Sequence, residues 1–317
     1  MDEKLLSIYV PTYNRADKVV KQLQFLINEI KAIDIKKIEI IVNNNCSTDN
    51  TEERVLNVIA GTPIIYHKNE RNLGIVGNAY AAIEFISGKY FWLISDDDFL
   101  QEGIVERVIN LLEMNPQLSY LFLNYSESEK PDKGLYNGPN GLTHDAKSML
   151  LTNKHINIWT LGFATSCICI TECLQQTINN LPLTEDICYG WTSYLSFASL
   201  HRGDSFFDTH IWIVSNASNV SWGDIAYQVY MGVVRMLSKL NLVGYQKEEI
   251  RIIYRQWMEK TQIIDNALLW NLWHTKNLRQ FICDYFFCFK KAPEYIIKQS
   301  IKLLIRLIKK IKNGKIT

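Results

Sequence analysis

Apolar side chains nowhere run uninterrupted for the roughly 18 positions that a membrane-spanning helix needs, and no Gly/Ser-rich or low-complexity stretch interrupts the 317 residues. With 47% hydrophobic and 21% charged residues the chain is expected to fold, as one large α/β domain or as a domain with a smaller one appended. The first residues, MDEKLLSIYV, are acidic and head directly into a strand rather than a secretory leader, so the expected location is the cytoplasm. CxxC pairs are absent, and the seven cysteines at 46, 167, 169, 173, 188, 283 and 288 form an odd, irregular set. That pattern speaks for reduced thiols and against a disulfide framework. CICITEC at 167–173 has no second pair and no histidine spacing for zinc, which leaves packing as its reading. His155, His201 and His210 are scattered without metal spacing. No GxGxxG follows the first strand, which counts against a dehydrogenase.

What is present is an alternation. LLSIYV (5–10), IEIIV (38–42), PIIYH (63–67), YFWLI (90–94) and LSYLFL (118–123) read as buried strands. Helical spacing separates them: Val19, Leu23 and Leu26 in the first helix, then helices over 75–87 and from about Gln101 to Met114. Strands alternating with helices imply a mostly parallel sheet with helices on both faces, and continuous apolar strands agree with burial on both sides.

Ligands of such sheets bind at the carboxyl ends of the strands. The unusual polar clusters fall there: PTYNR after the first strand, NNNCSTDNT after the second, HKNERNLG after the third and SDDD after the fourth. Asp96, Asp97 and Asp98 repel one another at the rim of an apolar strand unless a cation or hydrogen bonds compensate. A divalent ion that takes one or two carboxylates and completes its shell with phosphate and water is one remedy. The alternative is a solvated loop ahead of a helix whose first turn favours acids.

SIYVPTYNR, IEIIVNNNCSTDNT and NERNLGIVGNAYAAIEFISGKYFWLISDDDFL resemble, in order and spacing, the successive motifs of family 2 glycosyltransferases with the GT-A fold. The likeness covers about residues 4–125 and fades beyond. It is similar to the bacterial enzymes that build surface polysaccharides such as lipopolysaccharide and capsule. The resemblance implies a Rossmann-like nucleotide-sugar half (1–125), an acceptor half (126–225) and, after them, a helical region (226–317). It further implies inverting transfer of a hexosyl or N-acetylhexosaminyl group from a nucleotide-sugar, usually UDP-linked, held through Mn2+ or Mg2+.

By the same resemblance, Pro11, Thr12 and Tyr13, continuing into Asn14 and Arg15, match the segment that lies against nucleobase and ribose. Tyr13 would stack on the base or pack under the loop. Asn44 stands where the family commonly has an Asp that accepts a hydrogen bond from uracil; an amide oxygen can accept it too. Asp49 reads as a helix cap or a support for that loop. Arg71, Asn72, Gly74 and Asn78 match the segment near base and diphosphate. Asp98 matches the direct metal ligand, with Asp96 or Asp97 reaching the ribose or a metal-bound water; Asp96 with Asp98 has DxD spacing, and Asp97 with Asp98 aligns equally well with the family's paired acids. Glu185 and Asp186 resemble the acid pair that supplies the catalytic base; the bland reading makes them first-turn acids behind the cap Thr184, and Asp204 and Asp208 are substitutes. Trp222 would stack on a sugar or simply pack.

The chain beyond about 225 is helical and aromatic-rich, as a helical cap or an oligomer interface would be. Charge is unevenly spread: residues 290–317 carry a net +8 and the remainder −7. In 293–317, Ile297, Ile301, Leu304, Ile308 and Ile311 share one helical face and Lys298, Lys302, Arg306 and Lys309 the other. Such a helix suits the anionic surface of the inner membrane, with a lipid-linked glycan as acceptor and no nucleic acid as partner; packing on the protein body is the alternative. Two other readings of the chain stay open, a nucleotidyl- or phosphotransferase and a non-catalytic sugar-nucleotide-binding scaffold.

Overall fold

A computed structural model describes residues 4–127, 133–152, 155–156, 158–184, 186–216 and 226–312. Within them nine strands make one sheet: β1 (Leu6–Thr12), β2 (Ile38–Asn44), β3 (Ile65–Lys68), β4 (Tyr90–Leu93), β5 (Phe99–Leu100), β6 (Leu118–Ser126), β7 (Gly141–Thr143), β8 (Cys167–Ile170) and β9 (Asp204–Val214). Their order is β3-β2-β1-β4-β8-β6-β9-β5, with β7 on β9. The first four strands are mutually parallel, as the alternating pattern requires. Leu6, Ile8, Tyr9 and Val10 in β1 and Tyr90, Phe91 and Trp92 in β4 are fully or almost fully buried, because helices cover both faces. Each such side chain contributes about 1.5–3 kcal/mol on leaving water.

The second half departs from simple alternation. CICI forms β8, which runs antiparallel between β4 and β6, so the fourth and fifth strands of the sequence reading are not neighbours. β9 then pairs parallel to β6, with register shifts. These directions bring five features to one edge: the carboxyl ends of β1, β2, β4 and β9, and the loop that enters β8. The helix expected from Gln101 begins at Ile104, since Phe99 and Leu100 pair with the end of β9 and Gly103 turns the chain with φ 83°.

The helical region beyond 226 shares the core of the sheet half. Met231, Val234, Leu237, Ile253, Trp257 and Met258 are buried in the same apolar cluster as the strands. Helix Ala226–Met236 lies close against the turn Asp186–Gly190: a Cβ on Gly190 would stand 2.9 Å from Met236 Cβ and 3.1 Å from Val233 Cα. Backbone on one side leaves nothing able to give way. Gly190→Val is therefore expected to cost about 1–3 kcal/mol through overpacking; an unchanged urea midpoint would show that the two segments are not in this contact.

Candidate active site

The strand β4 ends in Ile94, Ser95 and the three aspartates, and each carboxylate is met differently. Asp96 accepts from Thr12 Oγ1 at 2.7 Å and from Arg15 at 2.9 Å, and is buried. Asp97 accepts from Ser95 Oγ at 2.6 Å and pairs with Arg15 at 3.2 Å and Lys18 at 3.0 Å. Arg15, just ahead of helix Ala16–Glu29, and Lys18 in its first turn stand three residues apart, so both reach the same spot. Burial works against the Arg15 charge, but Asp96, Asp97 and Asp98 outweigh it and hold its pKa above the ordinary value. Burial pushes the Asp96 carboxyl up.

Asp98 is the exception. It accepts from Thr165 Oγ1 at 2.5 Å and from the backbone N–H of Asn216 at 3.2 Å, and among the described residues it has no ion pair. Burial, chiefly, raises its carboxyl from 3.8 to about 6. Thr165 also accepts from Ser95 N–H at 3.1 Å, so one hydroxyl from the loop entering β8 fixes both ends of the SDDD turn. Among the described residues no group of three His, Cys, Asp or Glu gathers into a metal cage. A single buried carboxylate lacking a cation fits a hard divalent ion that draws its other ligands from diphosphate and water. Both oxygens of each carboxylate accept a hydrogen bond, but Asp96 is already neutralised by the Arg15 guanidinium and so fits that role less well than Asp98.

The other loops are tied to one another. Asn14, in left-handed backbone with φ 52°, donates its N–H to Ser47 Oγ at 2.9 Å and accepts from Thr48 N–H at 2.8 Å. Asn44 is fully buried; its amide oxygen accepts from Ser47 N–H at 2.8 Å and its amide donates to Tyr66 Oη at 3.0 Å. That oxygen, the one expected to face a uracil, takes part in shaping its own loop. Asn78 is buried too and accepts from Asn43 and Asn69, both at 2.9 Å. Asn72 accepts from Asn45 at 2.9 Å and from Gly74 N–H at 2.8 Å, and Gly74 takes φ 73°. Asn44 and Asn78 lie beneath the edge, whereas Tyr13, Asn14, Arg71 and Asn72 are exposed on it and Pro11 is half-buried in β1. Asp49 accepts from Thr51 N–H at 3.0 Å, the local turn that opens helix Thr51–Ile59.

The acceptor-side candidates divide. Asp186 opens the turn Asp186–Gly190; Glu185 lies outside the described residues, as does Trp222. Tyr80 anchors this segment by donating to Leu181 O at 3.0 Å and meeting Trp191 edge-on at 6.0 Å. The substitutes lie elsewhere: Asp204 pairs in register with Leu118, at the opposite edge of the sheet, and buried Asp208 is spent on Arg107 at 2.9 Å and Trp212 at 3.1 Å. Lys18, Thr165 and Tyr80 were not evident in the sequence. Only Lys18 left a trace, its spacing from Arg15.

A family model described as Glycosyl transferase family 2 matches residues 7–168. The chain belongs to this family. It is 38% identical over 100 residues to the abequosyltransferase RfbV of Salmonella typhimurium, covering 30% of this chain and 29% of that protein. It is 23% identical over 269 residues, 84% of this chain and 90% of the relative, to the Escherichia coli UDP-Glc:alpha-D-GlcNAc-diphosphoundecaprenol beta-1,3-glucosyltransferase WfgD. The chain thus spans less than a third of the length of RfbV but most of WfgD. Among solved structures, S. aureus TarS superposes with a TM-score of 0.69 at 13% identity, covering 92% of this chain and 82% of that one. TarS has also been solved with UDP and with UDP-GlcNAc. A mannosyltransferase of Pyrobaculum calidifontis in complex with GDP-Man and Mn2+ superposes with a TM-score of 0.57 at 12% identity, covering 95% and 87%. These likenesses confirm the GT-A fold for this family 2 chain.

The electrostatics make two predictions. Because the Asp98 carboxyl titrates higher in the folded state than in the unfolded chain, its stabilising effect is complete below about pH 4 and is lost as pH rises through about 6. At neutral pH the ion-free family 2 protein should bear a penalty of about 3 kcal/mol from this group, at about 1.4 kcal/mol per unit. The stability of Asp98→Asn relative to wild type, from urea unfolding without divalent ions, should climb between about pH 4 and about pH 7.5; parallel curves would refute the assignment. Arg15→Met leaves Asp96 buried without its cation and should cost about 3 kcal/mol, read from the same urea curves at neutral pH.

Proposed function

We propose that the chain transfers a sugar from a nucleotide-sugar, UDP-linked by preference, to a hydroxyl of a lipid-linked glycan during bacterial surface-polysaccharide synthesis. The observation that carries this reading is Asp98, a buried carboxylate without an ion pair among the described residues, at the edge where four parallel strands end. The names and ligands of RfbV, WfgD and TarS support the donor and acceptor classes. In this reading residues 1–125 hold the donor and 126–225 the acceptor.

The chemistry follows from charge. The acceptor oxygen bonds to the anomeric carbon as the bond from that carbon to the diphosphate oxygen breaks, and the nucleoside diphosphate leaves with the electron pair. A bound Mn2+ or Mg2+ would supply charge stabilisation to that leaving group. Asp98 would hold the ion, with Thr165 and the Asn216 N–H setting the carboxylate's orientation. Arg15 and Lys18 keep Asp96 and Asp97 neutralised, so that the edge is not a net anionic barrier to a diphosphate. Tyr13 and Arg71, exposed on the same edge, would meet the base and the phosphates. Asp186, or Glu185 beside it, would take the acceptor proton, giving an inverting transfer. The enzyme would work in the cytoplasm, peripherally on the inner membrane, with its basic C-terminal helix at the surface.

The test is direct. UDP with Mn2+ should raise the melting temperature of wild type, with GDP and CDP doing less, and Asp98→Asn should lose most of the metal-dependent part. A panel of nucleotide-sugars then separates glycosyl transfer or hydrolysis, which releases nucleoside diphosphate, from nucleotidyl transfer, which releases the sugar 1-phosphate. Absence of any nucleotide effect on wild type would overturn the reading.

A further inference from the structure

Two helices at the end of the described chain, Leu278–Lys291 and Pro293–Lys312, are separated only by Ala292. They fold back as an antiparallel hairpin, because Tyr285 Oη meets Ser300 Oγ at 2.8 Å and the two residues stand almost equally far from Ala292. One side of the hairpin is anchored to the body: Asp284 is buried on Arg235 at 2.8 Å, Cys288 and Ile296 are fully buried, and Tyr295 donates to Met258 O.

Another side is apolar and exposed. On the first helix Leu278, Ile282 and Phe286 are 59%, 44% and 54% exposed, and on the second Ile297, Ile301 and Leu304 are 48%, 53% and 57% exposed. At roughly 100° per residue, each row is centred some 60–70° further round its helix, in the chain direction, than the residue that touches the partner helix. In an antiparallel pair, equal rotations of this kind carry both rows to the same side of the plane through the two axes. The rows therefore make one face and not two. Cations line its outer flanks, with Arg279 and Lys290 on one helix and Lys298 and Lys302 on the other, all exposed. Residues 278–312 hold nine Lys or Arg against two acids, one of them the buried Asp284.

We infer that the hairpin as a whole, and not the last helix alone, is a docking platform for an anionic lipid surface. Charge decides the occupant. A second copy seated on this face would bring its cations against like charge, whereas a bilayer with anionic headgroups takes the apolar rows into the interfacial region and neutralises the flanks. The inference deepens the proposed function, since it rests on a lipid-linked acceptor for its purpose, but it is tested without donor or acceptor.

The experiment is co-sedimentation of the full chain with vesicles of phosphatidylcholine alone or mixed with phosphatidylglycerol. Wild type should partition to the mixed vesicles and little to the neutral ones. Ile282→Glu/Phe286→Glu on the first helix and Ile301→Glu/Leu304→Glu on the second should each reduce partition on the order of tenfold, as should Lys298→Glu/Lys302→Glu. Thermal melting of each variant, compared with wild type, reports whether it is folded; should an apolar variant unfold, the exposed charge reversal Arg279→Glu/Lys290→Glu tests the first helix instead. Wild-type binding by the first-helix variants alongside loss in the second-helix variants would overturn the two-helix platform. So would absence of wild-type binding, or light scattering that shows a dimer broken by the same substitutions. Vesicle binding without any nucleotide effect would leave the platform standing and sink the functional reading.

Discussion

Three carboxylates closing one buried strand are an electrostatic demand that the surrounding fold has to meet, and the way it is met organises the site. Arg15 and Lys18 reach over from the turn after β1 and pair with Asp96 and Asp97. Thr12, the last residue of β1, donates the hydrogen bond that completes Asp96. The first loop is thus held onto the fourth by charge-assisted bonds, which are stronger than neutral ones. Only Asp98 is left among the described residues without an ion pair, and its raised carboxyl records the cost of burying it that way.

Neutralising two charges from within and leaving the third has a chemical consequence. A site with three free carboxylates would repel a diphosphate, and a site with none would not hold a divalent ion. Two partners from the second half of the chain set the remaining carboxylate: Thr165, on the loop that enters antiparallel β8, and the backbone of Asn216, beyond the end of β9. Both can reach Asp98 because β8 starts, and β9 ends, at the edge where β4 delivers the aspartates. The strand directions do the positioning.

Below that edge the asparagines act as scaffold. Asn43, Asn45, Asn69, Asn72 and Asn78 bond chiefly to one another and to nearby backbone, so that the end of β2, the loops after β2 and β3 and the helix Gly74–Tyr80 are tied into one layer. Amide-to-amide bonds of this kind restrict loops that would otherwise adopt many conformations. On the far side, helices beyond residue 226 share the core and pack on the turn that Asp186 opens, which joins the helical region mechanically to that turn.

Periodicity and motif order were enough to read the parallel half of the sheet, its family and the edge that carries the site, because burial on two faces and turn chemistry are local properties of the chain. Local pattern also found the amphipathic last helix. Partnership was another matter. The strand CICI slipping between β4 and β6, Thr165 on Asp98, Tyr80 on Leu181 and the shared face of the last two helices are contacts between residues 15 to 101 positions apart. The bonds that Asn44 and Asn78 make to neighbouring segments were likewise invisible in the sequence, since an asparagine reads the same whether it points outward or into a neighbour. Residue types and their spacing determined which chemistry this chain can hold. Only the tertiary structure decided which of those groups are already used to hold each other, since the free energy of a polar group depends on what surrounds it and not on its place in the chain.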